Sequence, residues 1–184
     1  VSEEIRGKRV LLRKKKLEDA WIDYAWKRDP ELARLDATIP LDLPFSMYLI
    51  GYAEELNQYD GRTHTYAIET LDGKHIGNCS YYNLDRDRRE AELGILIGEA
   101  SCWDSGYGTD AVAALVQHAF RKESLKRMYL HTLVENIRAQ RCFRKCGFVP
   151  CRRVTRAGYD FIRMEITEQE VRSAWDSAHE TEPI

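Results

Sequence analysis

Between Trp103 and Ala111 the chain reads Trp-Asp-Ser-Gly-Tyr-Gly-Thr-Asp-Ala. The glycines form a short polar turn with an apolar strand-like run before it and an amphipathic run after it. Successive backbone N–H groups in such a turn point the same way as the unpaired N–H groups and positive dipole end of the following helix. Together they hold a pyrophosphate without any side-chain charge. The predicted ligand is a phosphorylated cofactor, with a plain tight turn as the alternative reading of Gly106 and Gly108. A second element lies about thirty residues on, where Asn136 opens a run that closes at Cys146-Gly147-Phe148. Asn136 alone also reads as a helix N-cap. Between Glu90 and Gly98, alternation puts Glu90, Glu92, Gly94 and Leu96 on one strand face and Leu93, Ile95 and Ile97 on the other. Carboxylates therefore share a face with a glycine.

The other reactive residues carry less. The five cysteines are odd in number and scattered, so a disulfide framework is not expected. Cys142 and Cys146 lie one helical turn apart with Cys151 nearby, but no histidine or fourth thiol stands at ligand spacing, and no metal is expected. The run Arg13-Lys14-Lys15-Lys16 reads as a solvated strand end, since Leu17, Glu18 and Asp19 follow at once.

These residues need a scaffold, and 184 residues suit one domain with a real core. The expectation is a single domain over 1–184, with its core at about 5–166 and a tail from 167. The composition is 43% hydrophobic and 32% charged, with a net charge of -2. That balance argues against nucleic acid or an anionic membrane as principal partner. No apolar run approaches a membrane span and the first residues lack a signal core, so a cytoplasmic location is expected.

Lys8 to Arg13 predicts a strand, and Leu17, Ala20, Trp21, Tyr24 and Ala25 a helical stripe, with Trp21 and Tyr24 in the core. Pro30, Pro40 and Pro44 punctuate an irregular stretch that could wall a substrate site, before a second helix from near Ser46 to Gly61. Two strands, 64–71 and 74–84, join at Asp72-Gly73 in a tight primed turn. The Glu90–Gly98 strand is the fourth. After the glycine turn, Ala111, Val112, Leu115, Val116, Ala119 and Phe120 mark a long helix, followed by a fifth strand over 128–134. Ala139, Cys142, Phe143 and Cys146 mark a short helix closed by Gly147. Strands over 148–155 and 159–166 follow, with a tail helical to about His179.

Strand, Gly-x-Gly turn, helix, strand, Asn, helix, Gly-Phe, strand: the order and separations resemble the GNAT superfamily of acyl-CoA-dependent N-acetyltransferases over roughly residues 5–166. Ala91-Glu92-Leu93-Gly94, Trp103 with Gly106-Tyr107-Gly108-Thr109-Asp110-Ala111, and Gly158-Tyr159-Asp160 with Met164 resemble its RimJ/RimL-like branch. The resemblance implies an α/β fold with a mixed, mostly antiparallel sheet of six to seven strands, about four helices, and a splay between the fourth and fifth strands. It implies acetyl-CoA as cofactor, direct acetyl transfer, and a homodimer as the common assembly. Ile95, Leu96 and Ile97 would meet the pantetheine amides. Asp104, Ser105, Gly106, Tyr107, Gly108 and Thr109 would hold the pyrophosphate, and Asn136 would reach the pantetheine arm from the splay. Arg138, Arg141, Arg144 and Lys145 read as a solvated helix face, with the cofactor's 3′-phosphate as the alternative for one of them.

Acetyl transfer needs a neutral amine, and a Lys-like amine of pKa about 10.4 is free at roughly one part in a few thousand at neutral pH. The resemblance makes Glu92 the base, directly or through water, with an ordinary exposed strand carboxylate as the alternative. Asp160, Tyr159 and Tyr82 are candidates to face the acceptor, and Trp26 or Phe45 would join them in a closed aromatic site. The family's proton donor to the leaving thiolate is a Tyr, and Phe143 stands at that position beside the cofactor. A thiol of pKa about 8.5 leaves with modest help, so activity does not require that donor; water, Tyr107, Tyr159 or Cys142 are its substitutes. Backbone N–H near Leu96 or Ile97 would hold the oxyanion. The acceptor is a protein N-terminus, a polyamine or another small amine. The other reading is a CoA-binding regulatory module.

Overall fold

Eight strands form one sheet in the computed structural model, which describes residues 4–58 and 60–179. They are β1 (Ile5–Arg6), β2 (Val10–Lys14), β3 (His64–Thr70), β4 (His75–Asp85), β5 (Glu90–Ile97), β6 (Arg127–Leu133), β7 (Val149–Arg156) and β8 (Tyr159–Thr167). The order across the sheet is β1-β2-β3-β4-β5-β6-β8-β7, and every neighbouring pair is antiparallel except β5–β6. Six α-helices flank it: α1 (Ala20–Arg28), α2 (Pro30–Leu35), α3 (Phe45–Asn57), α4 (Tyr107–Glu123), α5 (Ile137–Lys145) and α6 (Glu168–His179). The sheet exceeds the expected strand count through the two-residue β1. The helix count is exceeded because the tail helix forms and because α2 occupies the stretch read as irregular. There Pro30 is no breaker: it sits at the first helical position, where its missing N–H costs nothing, and the Asp29 side chain accepts from Glu31 and Leu32 N–H.

The apolar core lies between the sheet and α4. Ala111, Val112, Leu115, Val116, Ala119 and Phe120 are all buried, as the helical spacing predicts. Opposite them lie Leu12, Ile68 and Ile76, and Met128, Leu130, Met164 and Ile166 come from β6 and β8.

The other face is held differently. On the sheet-facing side of α1, Asp23 and the preceding Asp19 are both almost fully buried, Asp19 paired with Arg13 at 2.7 Å and Asp23 with Lys15 at 2.8 Å. Asn78 donates to Asp23 (2.7 Å), as does the Tyr52 hydroxyl of α3 (2.9 Å), and Arg13 also pairs with Glu69 (2.6 Å). The basic run read as solvated thus alternates: Lys14 and Lys16 are exposed, whereas Arg13 and Lys15 turn in. Trp26 anchors the far end of α1 against buried Gly98, where a Cβ would lie 2.1 Å from the indole. Tyr24 is buried as expected, but Trp21 is 67% exposed, resting edge-on against Phe45 at 4.8 Å. The Asp72-Gly73 connection is not a primed two-residue turn. Only Gly73 has positive φ (87°), and Thr70 N–H bonds Lys74 carbonyl (2.9 Å) across a longer loop. No helix among the described residues is long and apolar enough to cross a membrane.

Candidate active site

β5 and β6 run side by side only at Glu90↔Arg127, Ala91↔Met128 and Glu92↔Tyr129, then separate. The splay opens a cleft of about 540 Å³ from Glu92 and His131 to Gly108 and α5. Along its β5 wall the backbone alternates. Gly98 N–H donates to Ile76 carbonyl on β4 (3.0 Å), so Leu96 also spends its backbone groups on β4, while Ile95 and Ile97 turn theirs into the gap. Leu96 therefore contributes wall but no free N–H, contrary to the expectation that it serves the pantetheine or the oxyanion. Trp103 Nε1–H takes the Ile97 carbonyl (2.7 Å), and the Arg138 guanidinium lies 3.5 Å over the Trp103 ring, which removes Arg138 from the solvated face expected for it.

The glycine turn is held from several sides. Asp104 and Gly106 take φ of 55° and 84°, and the first helical bond of α4 is Asp110 N–H to Gly106 carbonyl (3.0 Å). The N–H groups ahead of that bond have no carbonyl behind them within the helix. Gly108 lies against Ile97 and Cys142, with room for a Cβ at 3.6 Å and 3.7 Å. Asp110 fixes the turn from below, its carboxylate accepting from the N–H groups of Lys8 (3.0 Å), Arg9 (2.7 Å) and Val10 (3.1 Å). Arg9 adds a bond to the Ser105 carbonyl and lies 4.7 Å over the Tyr107 ring.

The Asn136 side chain accepts from Ala139 N–H (3.1 Å), so it caps α5 at the cleft edge. Phe143 is buried edge-on against Phe148 at 6.0 Å, and its ring packs as the residue type suggests. Next to it, the Cys142 thiol is lowered by the hydrogen bond from Cys146, helped by the Thr109 hydroxyl at 3.5 Å and Lys145.

At the other end, Glu92 is only 8% exposed. His131 Nδ1 lies 2.7 Å from its Oε1, and Asn83 Nδ2–H donates to Oε2 at 3.1 Å. Asn83 reaches it because β4 shifts register between Tyr82 and Asp85, and Asn83 takes φ of 52° at that bulge. Arg156 lies 3.4 Å from His131 Nε2, on the far side of the ring. A guanidinium can only donate, so Nε2 accepts and the ring proton sits on Nδ1, pointing at Glu92. Burial first, then the Glu92 charge, push the Tyr82 and Tyr129 hydroxyls up.

Most residues singled out in the sequence come together here. Glu92 and Tyr82 lie at one end, Asp104, Gly106, Gly108 and Thr109 at the other, with Ile95, Ile97, Asn136 and Phe143 between; Tyr159 also lines the wall. Ser105 and Tyr107 belong to the turn but do not line the cleft, and Asp160 faces elsewhere, accepting from the Thr155 hydroxyl at 2.6 Å. Trp26 is committed to packing from α1 against Gly98, and Phe45 to Trp21 and Tyr24 of α1, whereas Leu32, Leu35, Asp36 and Ala37 of the Pro30–Pro44 stretch do form a wall. Sequence reasoning missed His131, Asn83 and Arg156. The signal available for His131 was alternation on β6, which puts Tyr129, His131 and Leu133 on one face.

Residues 9–149 match the acetyltransferase (GNAT) domain family. The chain belongs to the GNAT acetyltransferases. It is 26% identical over 136 residues to an uncharacterized N-acetyltransferase p20 of Bacillus licheniformis, covering 73% of this chain and 75% of that protein. Among solved structures it resembles spermidine N-acetyltransferase of Vibrio cholerae in complex with CoA and spermine, with a TM-score of 0.78 and 19% identity over 89% of this chain and 98% of the other. It also resembles aminoglycoside acetyltransferase AAC(6′)-Ib in complex with coenzyme A, with a TM-score of 0.76 and 23% identity over 90% and 99%.

Proposed function

We propose that this GNAT acyltransferase moves acetyl from acetyl-CoA directly to a primary amine, with Glu92 as the base. The observation that carries this reading is the Glu92 carboxylate, buried at the splay and held by His131 at 2.7 Å and Asn83 at 3.1 Å. Two donors fix the carboxylate and leave further lone pairs for the amine or an intervening water. The cofactor reading rests on the cradle: N–H groups at the start of α4 for the pyrophosphate, and the gap-facing backbone of Ile95 and Ile97 for the pantetheine amides. Asn136 fixes the first turn of α5 beside that path.

Catalysis then divides simply. The cleft aligns amine and thioester, which supplies much of the rate. Glu92 takes the amine proton as nitrogen attacks the acetyl carbonyl, a gap-facing N–H of Ile95 or Ile97 steadies the oxyanion, and the CoA thiolate departs. Phe143 has no proton to give, so the thiolate takes its proton from solvent or the Cys142 thiol. The Ala91–Gly94 and Gly106–Ala111 segments support placement in the RimJ/RimL-like branch. Spermine and kanamycin-type amines, bound by structural neighbours, make small amines the first acceptors to test.

Glu92→Gln keeps the shape of the side chain and removes the base. We expect kcat to fall about 10²- to 10⁴-fold with any accepted amine, while CoA affinity measured by calorimetry stays within about twofold. Undiminished turnover would remove Glu92 from the mechanism.

A further inference from the structure

Arg156 ends β7 at a hairpin turn in which Ala157 and Gly158 take φ of 48° and 80°, and Tyr159 stands opposite it on β8. The turn hangs over the Glu92 end of the cleft, where Arg156, Ala157 and Tyr159 all contribute wall. The arginines of β6 and β8 are matched by carboxylates, Arg127 by Glu90 and Glu165, and Arg163 by Glu165 at 2.7 Å while it stacks 3.8 Å over Tyr129, whereas Arg152 and Arg153 of β7 are exposed with no ion pair among the described residues. Arg156 has no carboxylate within ion-pair distance among the described residues, only the His131 ring nitrogen at 3.4 Å. A guanidinium keeps its proton and presents a planar fork suited to a carboxylate. Glu92 sits on the opposite side of the same imidazole. The amine-seeking and carboxylate-seeking groups are therefore one ring apart, a separation that an amine and a carboxylate on one small skeleton bridge.

We propose that Arg156 anchors a carboxylate of the acceptor, so that the amine acetylated at Glu92 belongs to an amino-acid-like molecule. This deepens the reading of Glu92 as base and rests on it. Polyamines offer the guanidinium nothing but positive charge, and aminoglycosides offer it hydroxyls but no anion. Leu32, Leu35 and Phe161 suit an apolar side chain, and Asp36 suits a cationic one.

The test uses acetyl-CoA and three matched sets: leucine, leucinamide and isopentylamine; phenylalanine, phenylalaninamide and phenethylamine; lysine, lysinamide and cadaverine. Spermidine and kanamycin are included, and CoA release is followed with a thiol reagent. At least one free amino acid should exceed its amide and its decarboxylated amine by about tenfold or more in kcat/KM, chiefly through KM. Arg156→Gln should bring the acid-to-amide ratio close to one, and Arg156→Lys should keep part of it. Amide chemistry runs against this result, since the amide's amine is the weaker base and is freer at neutral pH. Equal or better turnover of amides, simple amines or polycations, or a preference that survives Arg156→Gln, overturns the carboxylate anchor and leaves acetyl transfer standing. No turnover with any of the eleven compounds overturns the amino-acid acceptor, and CoA binding measured by calorimetry on the same protein then separates that failure from a failure of the acetyl-transfer reading, which absent CoA binding would overturn.

Discussion

The Glu92 carboxylate and the Gly106 backbone illustrate two kinds of residue. Gly106 is defined by its own neighbours in sequence. With φ of 84° and the Arg9 guanidinium 3.1 Å from where a Cβ would be, it is a position that a side chain strains directly. Gly106→Ala should cost about 1–2 kcal/mol of local strain and weaken CoA binding about tenfold, read by calorimetry. Unchanged affinity would show that the turn is not the cofactor cradle. Glu92 is defined by residues far away in sequence, and here the sequence was only half legible. Alternation put the carboxylate on the right face, but its burial depends on Asn83 at a bulge in β4 and His131 on a strand reached through α4. Nothing near either residue marks that meeting. Leu96 was misassigned for a similar reason, because which backbone groups face the gap follows from the pairing of β5 with β4.

At the scale of elements, long helices and strands follow their apolar periods, and short ones follow local chemistry that periodicity does not register. α2 is six residues long and is specified by Asp29-Pro30, a cap and a first-turn proline. α1 adheres to the sheet through ion pairs as well as apolar contact, which explains why Trp21 stays outside and Arg13 inside. This attachment has a pH signature. Burial works to raise the Asp19 carboxyl, but the Arg13 hydrogen bond, the Lys16 N–H and the charge of Arg13 together hold it below the usual carboxylate range. Because the folded value lies below the unfolded one, the stabilisation is complete above the ordinary Asp range and is lost as pH falls through the depressed value. Urea titrations from neutral pH down to about pH 2 should show a stability loss at the acid end that is smaller in Asp19→Asn. The variant should also be less stable at neutral pH. An unchanged acid limb would exclude Asp19 from the acid transition.

For the whole molecule, the decisive feature is that the sheet is nearly two sheets. β1–β5 and β6–β8 share only three paired positions, while α4 packs on β1, β2, β4 and β5 and touches α5 and α6. A cofactor in the splay touches both halves, so CoA should raise the melting temperature in proportion to its free concentration, worth about 2.7 kcal/mol at a hundred times Kd. A melting temperature indifferent to CoA would contradict the cleft assignment. The overall fold was legible because each unit announces itself locally and the parallel pair must be joined by a crossover helix. Asp110 carries the last consequence. Its carboxylate gathers three consecutive amides, Lys8, Arg9 and Val10, onto the first turn of α4. Those amides lie about a hundred residues away in sequence, yet their hydrogen-exchange rates report the integrity of the glycine turn, and a protease cut near residue 9 would release the turn without touching it.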